Sequence, residues 1–257
     1  MYSLNGTMTV STALIFSVAA ILCGAASIDA FTAVKISMLP VHRSVVAANS
    51  ANDLFSSEGW RPIQKGLDRV PIFTCANQAG TPLAYTIEMK DQTYTVPFFY
   101  CDVDDAQIEL KKAMQAGTDL VVDGTIGLIP FPLGKAFQMW AQDEAVIIPS
   151  ARAIVQAGAP PGSNPIGQQV PLFACMEMMQ TDEDGTGAVL PLFMDLEEAN
   201  AAVRSAVEMD GGDVNDFEVV TLSLQKAVQL LATVPESPAF QFVASSKSLR
   251  YIEEYLE

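Results

Sequence analysis

The stretch Val70-Pro-Ile-Phe-Thr-Cys75 recurs as Val170-Pro-Leu-Phe-Ala-Cys175, with Val, Pro, Phe and Cys at the same four positions. Both runs are apolar throughout, which is typical of strands that are covered on both faces of a sheet. A segment that recurs later in a chain indicates internal duplication when other segments recur in the same order. The other matching segments therefore decide between duplication and chance.

A second pair of segments predicts a helix in each copy. Asp102-Val-Asp-Asp-Ala106 recurs as Asp195-Leu-Glu-Glu-Ala199, and the apolar residues that follow lie on one face of an amphipathic helix. Each helix opens on an aspartate, which caps helix N-termini, and acids in the first turn favour the helix dipole. Gly117 and Gly211 stand where these helices are expected to end. The residues expected to face the core are Val103, Ala106, Leu110, Ala113 and Met114, matched by Leu196, Ala199, Val203, Ala206 and Val207.

A third and a fourth pair of segments follow in the same order. Apolar residues of 126–133 match those of 217–224, and Lys135-Ala-Phe-Gln138 matches Lys226-Ala-Val-Gln229. We interpret each pair as a strand that runs into a second helix, with Phe137 and Val228 both in the core. Pro130 and Pro132 place the strand of the first copy at a sheet edge or a strand end. Further strands are expected at 83–89, 93–101, 145–148, 189–194 and 239–243.

These patterns predict an α+β protein with an internal duplication, in which two pseudo-symmetric halves each pack helices on a mixed sheet. The expected boundaries are 61–158 for the first lobe, 159–168 for a linker rich in Pro and Gly, and 169–257 for the second lobe. Residues 1–60 take no part in the repeat. A body of this size buries about 70% of its unfolded-chain surface, so it needs neither disulfides nor metals to fold.

The first 60 residues have the composition of two consecutive targeting signals. An uncharged apolar run at 13–23 is too short to span a bilayer and suits a signal peptide, expected at 1–30. The segment 31–60 is transit-peptide-like, because 31–52 contains Lys35, His42 and Arg43 and no acid. The junction Ala30-Phe31 is similar to the bipartite leaders of algae with secondary plastids. The mature protein is then expected to have no integral membrane segment.

Charge narrows the range of partners. The chain has 14 basic and 30 acidic residues, and from Asp53 onward 12 bases and 29 acids remain, a difference of −17. An acidic body of this kind repels nucleic acids and anionic lipid surfaces, so we expect neither as a partner. Cationic partners are compatible with the charge.

The side chains that most enzymes use are scarce. His42 is the single histidine and lies in the leader, which excludes Ser-His-Asp and Cys-His catalysis and His-ligated zinc in the body. Cys75, Cys101 and Cys175 have no metal or redox spacing and are expected to be buried thiols. The acidic runs 102–105 and 182–184 lack the spaced ligands of an EF-hand. We therefore expect no catalytic residue, no cofactor and no metal.

The order of these segments resembles the twenty-two-kilodalton Tic protein family of the chloroplast inner-envelope translocon. The residues that carry the resemblance are the runs 70–73, 96–99, 102–106 and 128–137, and the likeness extends from about Arg69 to the C-terminus. The resemblance implies a non-enzymatic, chaperone-like factor of plastid protein import, located in the envelope intermembrane space as a soluble or peripheral protein. Its implied partners are preproteins, through their transit peptides, and translocon components. The alternative is a structural or assembly subunit attached to a plastid complex.

The segment Leu128-Ile-Pro-Phe-Pro-Leu133 is the best candidate for a client-binding surface. Its prolines interrupt regular strand pairing, which leaves an edge at which apolar side chains remain partly exposed. The candidate residues are Leu128, Ile129, Phe131 and Leu133. Phe131 matches Leu222 of the second copy, so a role in the core is the competing interpretation.

Overall fold

The computed structural model describes residues 14–16, 33–37, 54–57, 59–89, 92–115, 126–181, 188–210, 213–233 and 239–255. These residues form an α+β protein with two mixed sheets, as predicted. The strands are β1 (Leu14–Phe16), β2 (Ala33–Ser37), β3 (Pro71–Ala76), β4 (Ala84–Met89), β5 (Gln92–Tyr100), β6 (Gly127–Pro132), β7 (Val146–Ile148), β8 (Pro171–Cys175), β9 (Gln180–Thr181), β10 (Ala188–Phe193), β11 (Val219–Ser223) and β12 (Ala239–Val243). The helices are α1 (Trp60–Leu67), α2 (Val103–Gln115), α3 (Leu133–Ala141), α4 (Ala151–Gln156), α5 (Leu196–Asp210), α6 (Leu224–Thr233) and α7 (Ser246–Tyr255), with 3₁₀ turns at Met176–Met178 and Val214–Asp216.

Each half of the body contains four strands in the same spatial order. In the first half, β3 lies between the antiparallel strands β6 and β5, and β5 pairs with β7 in parallel. In the second half, β8 lies between the antiparallel strands β11 and β10, and β10 pairs with β12 in parallel. The first sheet continues from β5 through β4 and β2 to β1, whereas β9 extends the second sheet beside β10. The two sheets therefore share a four-strand arrangement and differ in the further strands that extend it.

The two matching apolar runs form β3 and β8, and both are covered on both faces as the sequence predicts. Successive side chains of a strand point to opposite faces. Ile72 and Leu172 face a core that the two halves share, while Phe73 and Phe173 face the helices on the outside of their sheets. All four side chains are fully buried.

The shared core joins the two halves along the inner faces of their sheets. Helix α1 lies at its centre and contacts α3 of the first half as well as α6 and β12 of the second. The ring of Trp60 stacks on Phe137 with centroids 6.1 Å apart, and a Cβ on Gly66 would lie 3.6 Å from the ring of Phe242. Phe137 and Val228 are both buried in this core, as predicted.

The aspartates that were expected to begin α2 and α5 do cap these helices. One carboxylate oxygen of Asp102 accepts hydrogen bonds from the backbone N–H groups of Asp104 and Asp105, at 2.8 and 3.3 Å. Asp195 accepts from Glu197 and Glu198 in the same way, at 2.7 and 3.2 Å. Each cap satisfies N–H groups that would otherwise lack a partner in the first helical turn. The predicted ends at Gly117 and Gly211 lie outside the described residues.

The last helix of each half crosses to the outer layer of the other half. Ala153 of α4 packs beside Phe173, and the ring of Tyr251 in α7 meets Phe73 edge-on at 5.6 Å. Ion pairs also join each crossing helix to the other half. Lys247 Nζ donates to Asp102 at 2.9 Å and to Asp104 at 2.7 Å. Arg152 pairs with Glu197 and lies 3.9 Å from Asp195.

The outer faces of α2 and α5 depart in part from the predicted pattern. Val103, Ala106 and Ala113 are buried as expected, and Leu110 is only partly buried against the same cluster. The prediction for Met114 is wrong, since 44% of its surface is exposed. Ala113 occupies the position against the sheet, and the next residue is turned about 100° away from it. On α5, Ala199 and Val203 are buried.

Candidate functional site

The predicted client-binding segment forms β6, which lies at the end of the first sheet's strand order. The prediction of an edge strand from Pro130 and Pro132 is therefore confirmed. Neither proline has an N–H to donate to a neighbouring strand. Within the described residues, β6 pairs with β3 alone.

The four candidate side chains divide into two buried and two partly exposed residues. Leu128 faces the outer core beneath α2, and Leu133 begins α3 with no exposed surface. Both are core residues in this structure and are not available to a client, which corrects that part of the predicted set. Ile129 and Phe131 are partly exposed and lie on the inner face of the sheet, opposite Thr74 and Ile72 of β3. The ring of Phe131 lies 4.6 Å from that of Phe99 at the margin of the shared core.

The second sheet has an equivalent edge strand, β11. It pairs with β8 along its whole length, and Leu222 lies opposite Leu172 as Phe131 lies opposite Ile72. Val220 is 39% exposed and Leu222 is partly buried at the margin of the shared core. Because β11 contains no proline, all of its residues keep their N–H donors. Within the described part of the chain β11 pairs with β8 alone, so its other edge is the better template for an added strand.

A groove of about 430 Å³ opens beside β11, between this strand and the end of α4. Thr221, Leu222 and Ser223 form one wall and Ile154 contributes to the other. The remaining lining residues are Ala157, Ala159, Gln168, Gln169 and Pro171. Apolar surface flanked by amide side chains at a sheet edge suits an extended peptide, since the edge supplies main-chain hydrogen bonds and the groove takes alternate side chains.

We define the two partly exposed pairs, Ile129 with Phe131 and Val220 with Leu222, as the apolar rims. Each rim joins an edge strand to the margin of the core that the halves share. Sequence reasoning found the first rim through its prolines. The second rim was not predicted as a site, because the sequence pattern indicates only that Leu222 is an apolar residue of a strand.

The three thiols of the body are buried and free. Burial raises the pKa of Cys75 to about 12, and it also raises the pKa values of Cys101 and Cys175. A nucleophilic cysteine needs a lowered pKa, because the reactive form of the side chain is the thiolate. Among the described residues, no group of three or more His, Cys, Asp or Glu side chains is placed to hold a metal ion. The interpretation of these cysteines as buried thiols agrees with their placement.

No protein-family model matches the chain, and no curated protein matches its sequence. The described helices include none with the length and apolar character that a membrane crossing requires.

The fold and the rims together define a class of α+β protein in which two sheets with one strand order enclose a common core and expose their edge strands. Two solved structures with a similar fold are described as Tic22. Tic22 from Plasmodium falciparum is similar to this chain with a TM-score of 0.57 and 21% identity, covering 75% of this chain and 96% of that one. Tic22 from Anabaena, described as a protein of protein transport, has a TM-score of 0.57 and 18% identity, covering 76% and 96%. The resemblance to the Tic family is thereby confirmed at the level of the fold.

Proposed function

We propose that this chain is a Tic-family factor of plastid protein import that binds preproteins without catalysing a reaction. The observation that carries the proposal is the fold shared with two Tic22 structures over about three quarters of the chain, one of them described as a protein of protein transport. The order of the sequence motifs supports the same assignment. In this proposal the partners are transit peptides and translocon components.

The apolar rims and the acidic surface have separate roles in the proposed binding. Transit peptides are poor in acids and contain basic residues, so a body with a charge difference of −17 attracts them over a distance. At physiological salt this attraction is screened beyond about 8 Å. The apolar rims, Ile129 with Phe131 and Val220 with Leu222, then supply the contact that holds the client. Burial of two such side chains by a peptide contributes about 2–4 kcal/mol.

We expect Phe131→Ser and Leu222→Ser each to weaken the binding of a fluorescent transit peptide by about tenfold, because each removes about 1.5 kcal/mol of apolar contact. Ile108→Ser is the matched control, since Ile108 is 51% exposed on α2, away from both rims. Fluorescence anisotropy gives the affinity, and thermal melting of each variant reports whether the fold is retained. Raising the salt from about 0.1 to about 0.4 M halves the screening length and should slow association.

Three results would contradict this assignment of the site. Equal affinities for the wild type, the rim variants and Ile108→Ser would show that the rims do not bind the peptide. An association rate that does not depend on salt would show that the acidic surface does not attract the peptide. Absence of binding to any transit peptide, together with co-sedimentation of the protein with a plastid complex, would favour the structural or assembly subunit instead.

We also propose that the two halves arose by internal duplication. The common strand order supports this, as do the paired segments of sequence and the paired caps at Asp102 and Asp195. Two further hydrogen bonds are related in the same way. The N–H of Ala151 donates to Asp105 at 2.9 Å, and the N–H of Ser246 donates to Glu198 at 2.7 Å.

The proposed location is the envelope intermembrane space of a plastid, reached through the bipartite leader. The leader carries β1 and β2, and β2 pairs with β4 in parallel. The apolar run and the acid-free segment have targeting compositions, which predict a mature N-terminus between Phe31 and Arg61. Because Trp60 is buried in the shared core, we expect the mature protein to begin before it. N-terminal sequencing of protein purified from its source cells measures this directly. A mature protein that begins at Met1 would contradict the leader hypothesis.

A further inference from the structure

Four exposed apolar side chains lie at one end of the second half, and we define Met176, Met179, Met209 and Val214 as the methionine patch. Their exposed fractions are 48%, 42%, 80% and 47%. Methionine is unbranched and polarizable, and surfaces rich in it adapt to partners of different shape. Side chains that are exposed to this extent contribute little to the core.

The segments that carry these residues adjoin one small core cluster of Cys175, Met178 and Val203, against which Val207 and Phe217 pack. Met176 and Met179 flank Met178 in the chain. The pairing of Val219 with Cys175 brings Glu218 to the end of β8, where Met176 begins the 3₁₀ turn. The N–H of Phe217 donates to the carbonyl of Val214 at 3.3 Å, and the 3₁₀ turn that holds Val214 contacts α5, which ends just after Met209. Phe217 packs against the same small cluster.

Within the described residues, the two exposed methionines that follow β8 have no counterpart after β3. After Cys175 the chain continues Met-Glu-Met-Met179, whereas after the equivalent Cys75 it continues Ala-Asn-Gln-Ala79. The first half therefore forms the same four-strand sheet without methionines at this position. Since the fold does not require them, their presence calls for another explanation.

The surroundings of the patch are strongly acidic. Between Arg152 and Lys226 the chain has 12 acidic residues and a single basic one, Arg204. The exposed acids next to the patch are Glu177, Glu208, Asp213, Asp216 and Glu218. The thiol of Cys175 donates a hydrogen bond to Glu177 at 3.1 Å, which lowers the pKa of that carboxyl group. Glu177 thus remains charged beside the two exposed methionines.

We infer that the methionine patch and its ring of acids bind a cationic amphipathic segment of a partner protein. Apolar residues on one face of such a segment cover the methionines, and its lysines and arginines meet the surrounding carboxylates. The inference deepens the proposed function, because transit segments are amphipathic, basic and poor in acids. It assigns their recognition to a second surface, separate from the apolar rims.

The test uses the full chain and a fluorescent synthetic peptide of leucine, lysine and alanine, about 18 residues long and therefore about five helical turns. A peptide with the same composition in scrambled order has no apolar face. The protein variant is Met176→Ser with Met179→Ser. Its matched control is Met114→Ser, since Met114 is exposed to a similar extent, 44%, on α2 of the first half. A second variant, Asp216→Asn with Glu218→Gln, is compared with Glu253→Gln and Glu254→Gln on α7.

We expect the methionine variant to weaken binding of the amphipathic peptide by about tenfold and the charge variant by about threefold, while both controls bind as the wild type does. The scrambled peptide should bind at least about tenfold more weakly than the amphipathic one. If the methionine variant and Met114→Ser bind equally, the inference is wrong, and the proposed function stands as long as the rim variants still reduce transit-peptide binding. If neither peptide nor any transit peptide binds, the inference and the proposed function both fail.

Discussion

Phe73→Ala and Phe173→Ala should each lower the free energy of unfolding by about 3–5 kcal/mol. The two rings occupy equivalent positions in β3 and β8, and neither has any exposed surface. Phe73 packs in the outer core of the first half against Tyr251, and Phe173 packs in that of the second half with Ala153. In both cases the neighbours come from the crossing helices α4 and α7. Each truncation therefore leaves a cavity that no single half can close.

The same variants show whether the halves unfold together. Because α1 and the shared core connect them, we expect one cooperative urea transition in the wild type and in both variants, with similar midpoint shifts. Fluorescence of Trp60 and Trp140 and circular dichroism should report the same midpoint. Ile108→Ala is the control for an exposed side chain and should change stability by about 0.5 kcal/mol or less. Two separate transitions, only one of which moves in each variant, would mean that the halves are independent domains.

The elements of the fold could be predicted from the sequence because their signals are local. The continuous apolar run of β3, the capping aspartate of α2 and the prolines of β6 each depend on a few neighbouring residues. Helix α1 was missed, although Trp60, Ile63 and Leu67 have helical spacing. Its position at the boundary between leader and body concealed it, since the targeting composition was the stronger signal there.

The packing of one half on the other could not be predicted in the same way. The crossing of α4 and α7 is a long-range arrangement, and the pairing of Lys247 with Asp102 joins residues 145 positions apart. Periodicity indicates which face of a helix is apolar. It does not indicate which sheet covers that face. The candidate site was affected similarly. Burial of Leu128 and Leu133 depends on α2 and on the shared core, and the groove beside β11 requires both α4 and the second sheet.

Helices α1 and α3 approach each other closely at Gly134, and this contact produces the other large expected effect. Gly134 is the second residue of α3, where the N–H of the next residue, Lys135, donates to Asp68 Oδ1 at 3.2 Å. A Cβ at position 134 would lie 2.6 Å from that same oxygen and 2.9 Å from the backbone carbonyl oxygen of Gln64. The equivalent residue of the second half is Gln225, so the repeated unit accepts a larger side chain at this position. Glycine is needed in the first half because α1 approaches α3 closely there.

Gly134→Ala should therefore lower the free energy of unfolding by about 2 kcal/mol, since overpacking outweighs the gain of about 1 kcal/mol in helix propensity. Gly127→Ala is the control, because a Cβ there meets no atom within 4 Å, and its effect should stay within about 0.5 kcal/mol. Adding Asp68→Ala to Gly134→Ala should restore only part of the loss, because the 2.9 Å contact with the carbonyl of Gln64 remains. Urea unfolding of the wild type, Gly134→Ala, Asp68→Ala and the double variant measures the coupling. A Gly134→Ala variant as stable as Gly127→Ala would mean that α1 and α3 do not approach this closely, and the shared core would lose the contact that positions α1 between the two halves.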